Sequence, residues 1–89
     1  LSPPRRSAGL SFSKTPAYWR VASVIPGSPA ESLPVHPGDL VTRINGEPVA
    51  SWNLLRYDQL VATANDIVFT FLNGTTETET RIAVFELVP

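Results

Sequence analysis

The sequence predicts a single α+β domain with about six short strands, one long helix and one short helix. Its 89 residues can build one modest core but not two domains. With 43% hydrophobic and 17% charged residues, the chain has the composition of a folded domain rather than a disordered one. Short runs rich in aromatic and β-branched residues alternate with turn-forming dipeptides, and one segment has the apolar period of a long helix.

Each predicted strand lies between strong turn signals. In chain order, the strands are predicted at residues 9–12, 18–24, 40–44, 47–49, 67–72 and 80–88. Asn45-Gly46 and Asn73-Gly74 are dipeptides suited to the positive φ angles of tight hairpin turns. Pro48 confines the short return strand after the first of these turns to an edge position.

Both predicted helices have a capping residue in the sequence. Ser28, Pro29 and Glu31 fit a short helix in which serine is the N-cap, proline is the first helical residue and glutamate is the capping-box partner. Ser51 is predicted to cap the long helix, which runs from about residue 52 to residue 64.

Residues 1–7 have two prolines, two arginines and no apolar periodicity, which is typical of an extended linker, so the domain is predicted over residues 8–89. The chain begins at Leu1 without a signal-peptide pattern, and we expect it to be a fragment of a longer protein. Seven basic and eight acidic residues are scattered along it, which argues against a nucleic-acid partner. The longest apolar run, at residues 67–72, is too short to cross a membrane as a helix.

The sequence predicts no catalytic residue, no metal site and no cofactor. There is no cysteine, and the only histidine, His36, lies in a turn where it is expected to be plain surface. Asp39 follows a Pro-Gly turn and is expected to accept a backbone N–H and close a loop rather than to abstract a proton. An enzyme with an unfamiliar site is therefore the least favoured alternative.

The chain resembles a PDZ domain in three segments that are followed by one amphipathic helix and a closing hairpin. The segments are Gly9–Phe12, Val24–Glu31 and Pro37–Val49. The resemblance implies a PDZ-like, partly open β-barrel or sandwich of five to six strands, capped by one long and one short helix. It is strongest to the PDZ domains of bacterial envelope proteases, which implies the periplasm or cell envelope as the location. Retropepsin-like aspartic proteases with a C-terminal PDZ domain are the preferred parent, with trypsin-like stress proteases and glycyl aminopeptidases as alternatives.

The same resemblance implies a groove in which the free C-terminus of a peptide adds as an antiparallel strand beside the long helix. Its carboxylate would be held by backbone N–H groups of the loop at residues 9–12, in which Ser11 replaces the second glycine of the family motif. The candidate peptide-binding residues are Gly9, Leu10, Ser11, Phe12, Ser13, Asn53, Leu54, Tyr57, Leu60 and Val61, and the candidate carboxylate contacts are Arg5 and Arg6.

Several of these assignments have a structural alternative. Leu10 and Phe12 would also suit the core, Asn53 would also suit an exposed helix cap, and the arginine pair would also suit a solvated linker. The favoured function is recognition of hydrophobic C-terminal or extended peptide segments on behalf of a larger protease in cis. The alternative is a structural or dimerisation domain, for which Trp19 and Trp52 would supply an exposed aromatic patch.

Overall fold

The computed structural model describes residues 5–87, and within them the chain forms eight strands, one α-helix and two short 3₁₀ turns. The strands are β1 (Arg5–Ser7), β2 (Leu10–Lys14), β3 (Trp19–Val24), β4 (Leu40–Ile44), β5 (Glu47–Pro48), β6 (Asp66–Asn73), β7 (Thr76–Ala83) and β8 (Phe85–Leu87). The helix α1 is Leu54–Thr63, and the 3₁₀ turns are Pro29–Ser32 and Val49–Ser51.

The main sheet has the strand order β2-β3-β4-β6-β7, with β5 added to β4, and all of its pairs are antiparallel. The strands β1 and β8 form a separate two-stranded sheet. This β-sandwich with one main helix confirms the predicted α+β fold class, and it adds two short strands to the predicted six. Within residues 5–87, β2 is an edge strand of the main sheet, and its only partner is β3.

The core forms where alternate residues of the strands face α1. Trp19 and Val21 of β3 and Phe69 of β6 are almost fully buried, as strand alternation requires of residues on one face. Tyr57 and Val61, four residues apart on α1, are the buried positions of the helix. The helix is therefore held against the sheet by one narrow apolar stripe.

The first strand differs from the predicted linker. Arg5–Ser7 pairs antiparallel with Phe85–Leu87, so these three residues belong to the folded domain. Local sequence gave no sign of this, because the pairing joins segments about 80 residues apart and Arg5-Arg6-Ser7 has no apolar alternation. Residues 1–4 of the predicted linker lie outside the described residues.

The long helix begins two residues later than predicted, and its cap is a different residue. Asn53 is the N-cap, and its Oδ1 accepts the Arg56 backbone N–H at 2.8 Å. The prediction of Ser51 as the cap was wrong because Ser51 ends the preceding 3₁₀ turn, in which the Trp52 N–H bonds the Val49 carbonyl.

The short helix is one 3₁₀ turn that begins at Pro29, as predicted. Ser28 precedes it in an extended conformation but makes no side-chain cap, and its Oγ is buried without a hydrogen-bond partner among the described residues. The carboxylate of Glu31 accepts the N–H of Gly27 at 3.1 Å instead. The capping-box prediction for Ser28 was wrong because this side chain packs against the backbone at Gly9.

Two local predictions are confirmed. Asn45 and Gly46 have φ angles of 50° and 80°, which are the positive values of a tight hairpin turn between β4 and β5. The Asp39 carboxylate accepts the His36 backbone N–H at 2.9 Å and closes the turn before β4.

A candidate peptide-binding groove

The outer edge of β2 carries backbone groups that point away from its partner strand β3. Leu10 lies opposite Val24, and the bond from the Ile25 N–H to the Gly9 carbonyl (2.8 Å) flanks this pair. In an antiparallel ladder, residues in a pair flanked in this way do not bond each other, so their own N–H and C=O groups point outward. The backbone of Leu10 therefore faces the open edge.

The same argument applies at the other end of the strand. Lys14 lies opposite Trp19, and the bond from the Thr15 N–H to the Tyr18 carbonyl (2.9 Å) flanks that pair. Lys14 therefore also presents its backbone N–H and C=O to the open edge.

Phe12 lies midway between them, directly after a register shift in the pairing of β2 with β3, and its backbone also faces outward. Its partner Val21 bonds elsewhere, because the Val21 N–H donates to the Asp39 carbonyl and the Val21 carbonyl accepts the Gly38 N–H. Leu10, Phe12 and Lys14 thus form a row of three outward-facing backbone positions, an edge onto which another extended chain can add.

The loop before β2 holds this edge in place. Gly9 has a φ of +81°, and its N–H donates to the Ser7 Oγ at 2.8 Å, so this amide is already paired. Of the four loop residues proposed to hold a carboxylate, Leu10 and Phe12 present N–H groups to the edge, while that of Ser11 faces β3. The Phe12 N–H is placed to donate to one oxygen of a terminal carboxylate as in a ladder pair, which leaves the other oxygen on the Leu10 side.

Four aromatic rings form the floor beside this edge, and we call them the aromatic floor. They are Phe12, Trp19, Tyr57 and Phe69. The ring centroid of Phe12 lies 5.4 Å from that of Trp19 and 5.8 Å from that of Tyr57, within the range of favourable aromatic contacts. Phe12 is half-buried, so part of its side chain stays exposed while its ring packs on the other three. The edge of β2 and the helix α1 border a common space. We call this space the groove.

Tyr57 connects the aromatic floor to the helix. It is 8% exposed, and its ring meets Trp19 edge-on at 5.4 Å between centroids. Burial, and secondly the neighbouring Asp58 carboxylate, raise the pKa of the Tyr57 hydroxyl above its ordinary value. The phenol is therefore uncharged near neutral pH and acts as an apolar wall with one polar end.

The two flanks of α1 differ. Arg56 ties one flank to the β5 side of the domain through bonds to Glu47 and the Ser51 carbonyl, and the first of these holds the pKa of Glu47 below its usual range. Leu54, Asp58 and Val61 follow helical spacing on the other flank. Leu60 is half-buried and packs against the core. We therefore assign the flank of Leu54 and Val61 to the groove, and Leu60 and Asn53 to packing and capping.

The two arginines proposed to contact a carboxylate differ in environment. Arg6 donates to the Val61 and Ala64 carbonyls at 3.2 and 2.7 Å, and its Nη1 lies 4.0 Å from Glu86. It thus satisfies the C-terminal carbonyls of α1, where a cation is favourable. Arg5 is exposed. Because Arg6 lies three residues before Gly9, these contacts bring the Leu10 end of the groove beside the C-terminal end of α1.

The remaining residues named in the sequence analysis are two serines of β2 and the two tryptophans. Ser11 and Ser13 alternate with Leu10 and Phe12 and are exposed on the opposite face of β2, where the Ser11 hydroxyl bonds Ser23 at 2.5 Å. Trp19 is 2% exposed, so it contributes nothing to a surface patch. Trp52 is half-buried beneath the Arg56 guanidinium, which lies 3.8 Å from the ring centroid.

Sequence reasoning missed three residues that shape the groove. Trp19 was considered only as a surface residue, although its alternation with Val21 indicated a buried face. Ser7 stands two residues before Gly9, a spacing at which a hydroxyl can bond a backbone N–H. Ser28 supports the loop through a contact that no local pattern reveals.

Within residues 5–87, no group of three or more histidine, cysteine, aspartate or glutamate side chains is arranged to hold a metal ion. In the same part of the chain, no helix is long and apolar enough to cross a bilayer.

Comparison with known families gives a match that covers more than half of the chain. The model of the PDZ domain family matches residues 20–72. The chain belongs to the PDZ domain family. PDZ domains are non-catalytic, peptide-binding modules. No curated protein matches this PDZ domain.

Solved structures with the same fold include other PDZ proteins. A PDZ domain protein from Parabacteroides distasonis has a TM-score of 0.77 at 21% identity, and the match covers 97% of this chain and 21% of that one. The HtrA3 PDZ domain bound to a phage-derived ligand (FGRWV) has a TM-score of 0.76 at 20% identity, covering 93% and 88% of the two chains.

A third neighbour is a serine endoprotease from Yersinia pestis, with a TM-score of 0.71 at 22% identity, covering 96% of this chain and 30% of that one. The PDZ domain thus spans about a fifth of the Parabacteroides chain and under a third of the endoprotease. Nothing in these comparisons supports the aspartic protease that the sequence analysis preferred as the parent.

Proposed function

We propose that this PDZ domain binds the free C-terminus of a peptide by strand addition to β2, with an apolar terminal side chain on the aromatic floor. One observation carries the proposal: the outward-facing backbone of Leu10, Phe12 and Lys14 runs beside the groove as an edge that no other described strand pairs with. The binding residues are Leu10, Phe12, Tyr57, Leu54 and Val61.

The HtrA3 neighbour supports this proposal, because its phage-derived ligand, FGRWV, ends in an aromatic and an aliphatic residue. A valine or leucine side chain at the end of a ligand would lie against the half-buried Phe12, with the buried Val61 of α1 behind it. Main-chain bonds would supply much of the affinity, and this pocket would supply specificity.

Titration of a labelled peptide ending in valine against its C-terminally amidated twin tests this function. We expect the amide to bind about tenfold more weakly or worse, because a hydrogen bond to a charged group contributes about 1.5–3 kcal/mol. A scrambled peptide of the same composition that keeps its free carboxylate but ends in a polar residue controls for non-specific attraction. Equal affinity of the acid and the amide would exclude a site built for a carboxylate.

A structural or dimerisation role is the second candidate, and one observation favours it. Leu54 and Leu55 at the start of α1 are 57% and 68% exposed, which makes a small apolar patch. Sedimentation at several concentrations separates the two functions, because a self-associating domain sediments faster as its concentration rises. A peptide-binding monomer does not change.

We further propose that the domain serves a larger protease in cis, in the periplasm or cell envelope, as a substrate-recognition or regulatory module that begins no later than Arg5. The serine endoprotease among the structural neighbours makes a serine protease the first parent class to consider. The sequence preceding Leu1 in the full-length protein would decide between the parent classes.

A further inference from the structure

We propose that Lys14 selects ligands with an acidic residue at the third position from their free C-terminus, an inference that rests on the peptide-binding function proposed above. Lys14 is the only lysine of the chain and the last residue of β2. Its side chain is exposed, and its Nζ lies 5.0 Å from the centroid of the Trp19 ring. The ammonium group therefore stands at the end of the aromatic floor.

The position of the selected ligand residue follows from the ladder. If the Phe12 N–H donates to the terminal carboxylate and the Phe12 carbonyl accepts the N–H of the last ligand residue, that residue pairs with Phe12. The next outward-facing residue of β2 is Lys14, which then pairs with the ligand residue two places earlier. Paired residues of an antiparallel ladder place their side chains on the same face, so this third side chain from the end lies beside that of Lys14.

The charges around Lys14 leave it available to a ligand. Among residues 5–87, the ion pairs join Arg6 to Glu86, Arg56 to Glu47 and Arg81 to Asp66, and none involves Lys14. On the assigned flank of α1, Asp58 follows Leu54 by one helical turn. This turn leads toward the helix C-terminus, where Arg6 binds, and therefore away from the Lys14 end of the groove. An acidic side chain beside Lys14 would meet a cation with no acidic partner in the described chain.

Three peptides that end in valine and differ only in glutamate, glutamine or lysine at the third residue from the end test the proposal. We expect glutamate to bind about two- to fivefold more tightly than glutamine, the range for an exposed ion pair, and lysine to bind most weakly. The order should collapse in Lys14→Gln and reverse in Lys14→Glu, and it should weaken as salt is raised. Arg20→Glu makes a comparable change of charge on the opposite face of β3 and should leave the order intact.

A carbodiimide cross-link gives a second readout, because the domain has a single lysine. With the glutamate peptide, we expect an amide bond between the Lys14 Nζ and the glutamate side chain, located by mass spectrometry. A cross-link to the terminal carboxylate of the peptide instead would mean the opposite strand direction and would overturn the proposal.

The outcomes separate this proposal from the one it rests on. Peptides that bind through a free carboxylate but show no preference among the three residues would overturn the role of Lys14 and leave the groove function standing. Failure of all three peptides to bind, or equal binding of their amidated twins, would overturn both.

Discussion

Replacing Gly9 by alanine is expected to destabilise the domain by about 2–4 kcal/mol and to abolish peptide binding. Gly9 has a φ of +81°, and a left-handed conformation costs an alanine about 1–2 kcal/mol. A Cβ built there would also lie 2.6 Å from the Ser28 Oγ and 2.7 Å from the Ser28 Cβ, so the loop or the following turn must move. Because Leu10 follows directly, the open edge would lose its register.

Other glycines of the chain provide the control for the backbone contribution. Gly27 and Gly46 have φ angles of +79° and +80°, but a Cβ at either position meets nothing within 4 Å. Alanine at these two sites should therefore cost only the conformational part, about 1–2 kcal/mol. Chemical denaturation of all three variants measures the difference, which is the contribution of the contact with Ser28.

A second substitution tests the same contact by rescue. Ser28→Gly removes the two atoms closest to the new Cβ and leaves only the Ala30 Cβ, at an ordinary contact distance of 3.5 Å. The lost hydroxyl has no hydrogen-bond partner among the described residues. In the Gly9→Ala background it should restore about 1–3 kcal/mol and most of the peptide affinity. Strictly additive effects of the two substitutions would mean that the loop does not rest on Ser28.

Phe12→Ala is expected to lower stability by about 2–3 kcal/mol and to weaken peptide binding by more than tenfold. Truncating a fully buried phenylalanine costs about 3–5 kcal/mol, and Phe12 is only half-buried. The variant removes the contacts with Trp19, Tyr57 and Phe69, which lie at 5.4, 5.8 and 5.9 Å between ring centroids. The groove then loses the ring that separates a ligand side chain from the core.

Phe12→Leu is the matched control, because it keeps an apolar side chain of similar reach. We expect it to cost less than about 1.5 kcal/mol and to retain affinity within a few-fold. Denaturation and peptide titration are compared for each variant. A loss of stability in Phe12→Ala with unchanged affinity would mean that Phe12 belongs to the core alone, which is the alternative that the sequence left open.

Local signals predicted much of this domain from sequence. Asn45-Gly46 requires positive φ angles that few dipeptides adopt, and the loop glycine before Leu10 indicated a similar requirement. Only long-range contacts reveal β1, because its partner strand lies about 80 residues away along the chain. Composition at residues 1–7 indicated a linker, and the sheet pairing of Arg5–Ser7 overrode it.

The candidate groove shows the same division between local and distant information. Strand alternation in the sequence put Leu10 and Phe12 on one side, but it could not say which of their neighbours were already bonded. Helix phase was also ambiguous, since Leu54, Leu60 and Val61 are all apolar. The bonds of Arg6 to the end of α1 and of Arg56 to Glu47 show which side of the helix faces the groove. Each bond joins α1 to a different element of the fold, so the sequence of the helix alone could not reveal it.

Amide hydrogen exchange along β2, measured by NMR with and without a saturating peptide that ends in valine, tests the strand-addition account most directly. We predict that the N–H groups of Leu10, Phe12 and Lys14 exchange quickly in the free domain and become protected on binding. Those of Ser11 and Ser13 should be protected in both states by β3. Bound peptide that leaves the first three amides unprotected would contradict addition to this edge.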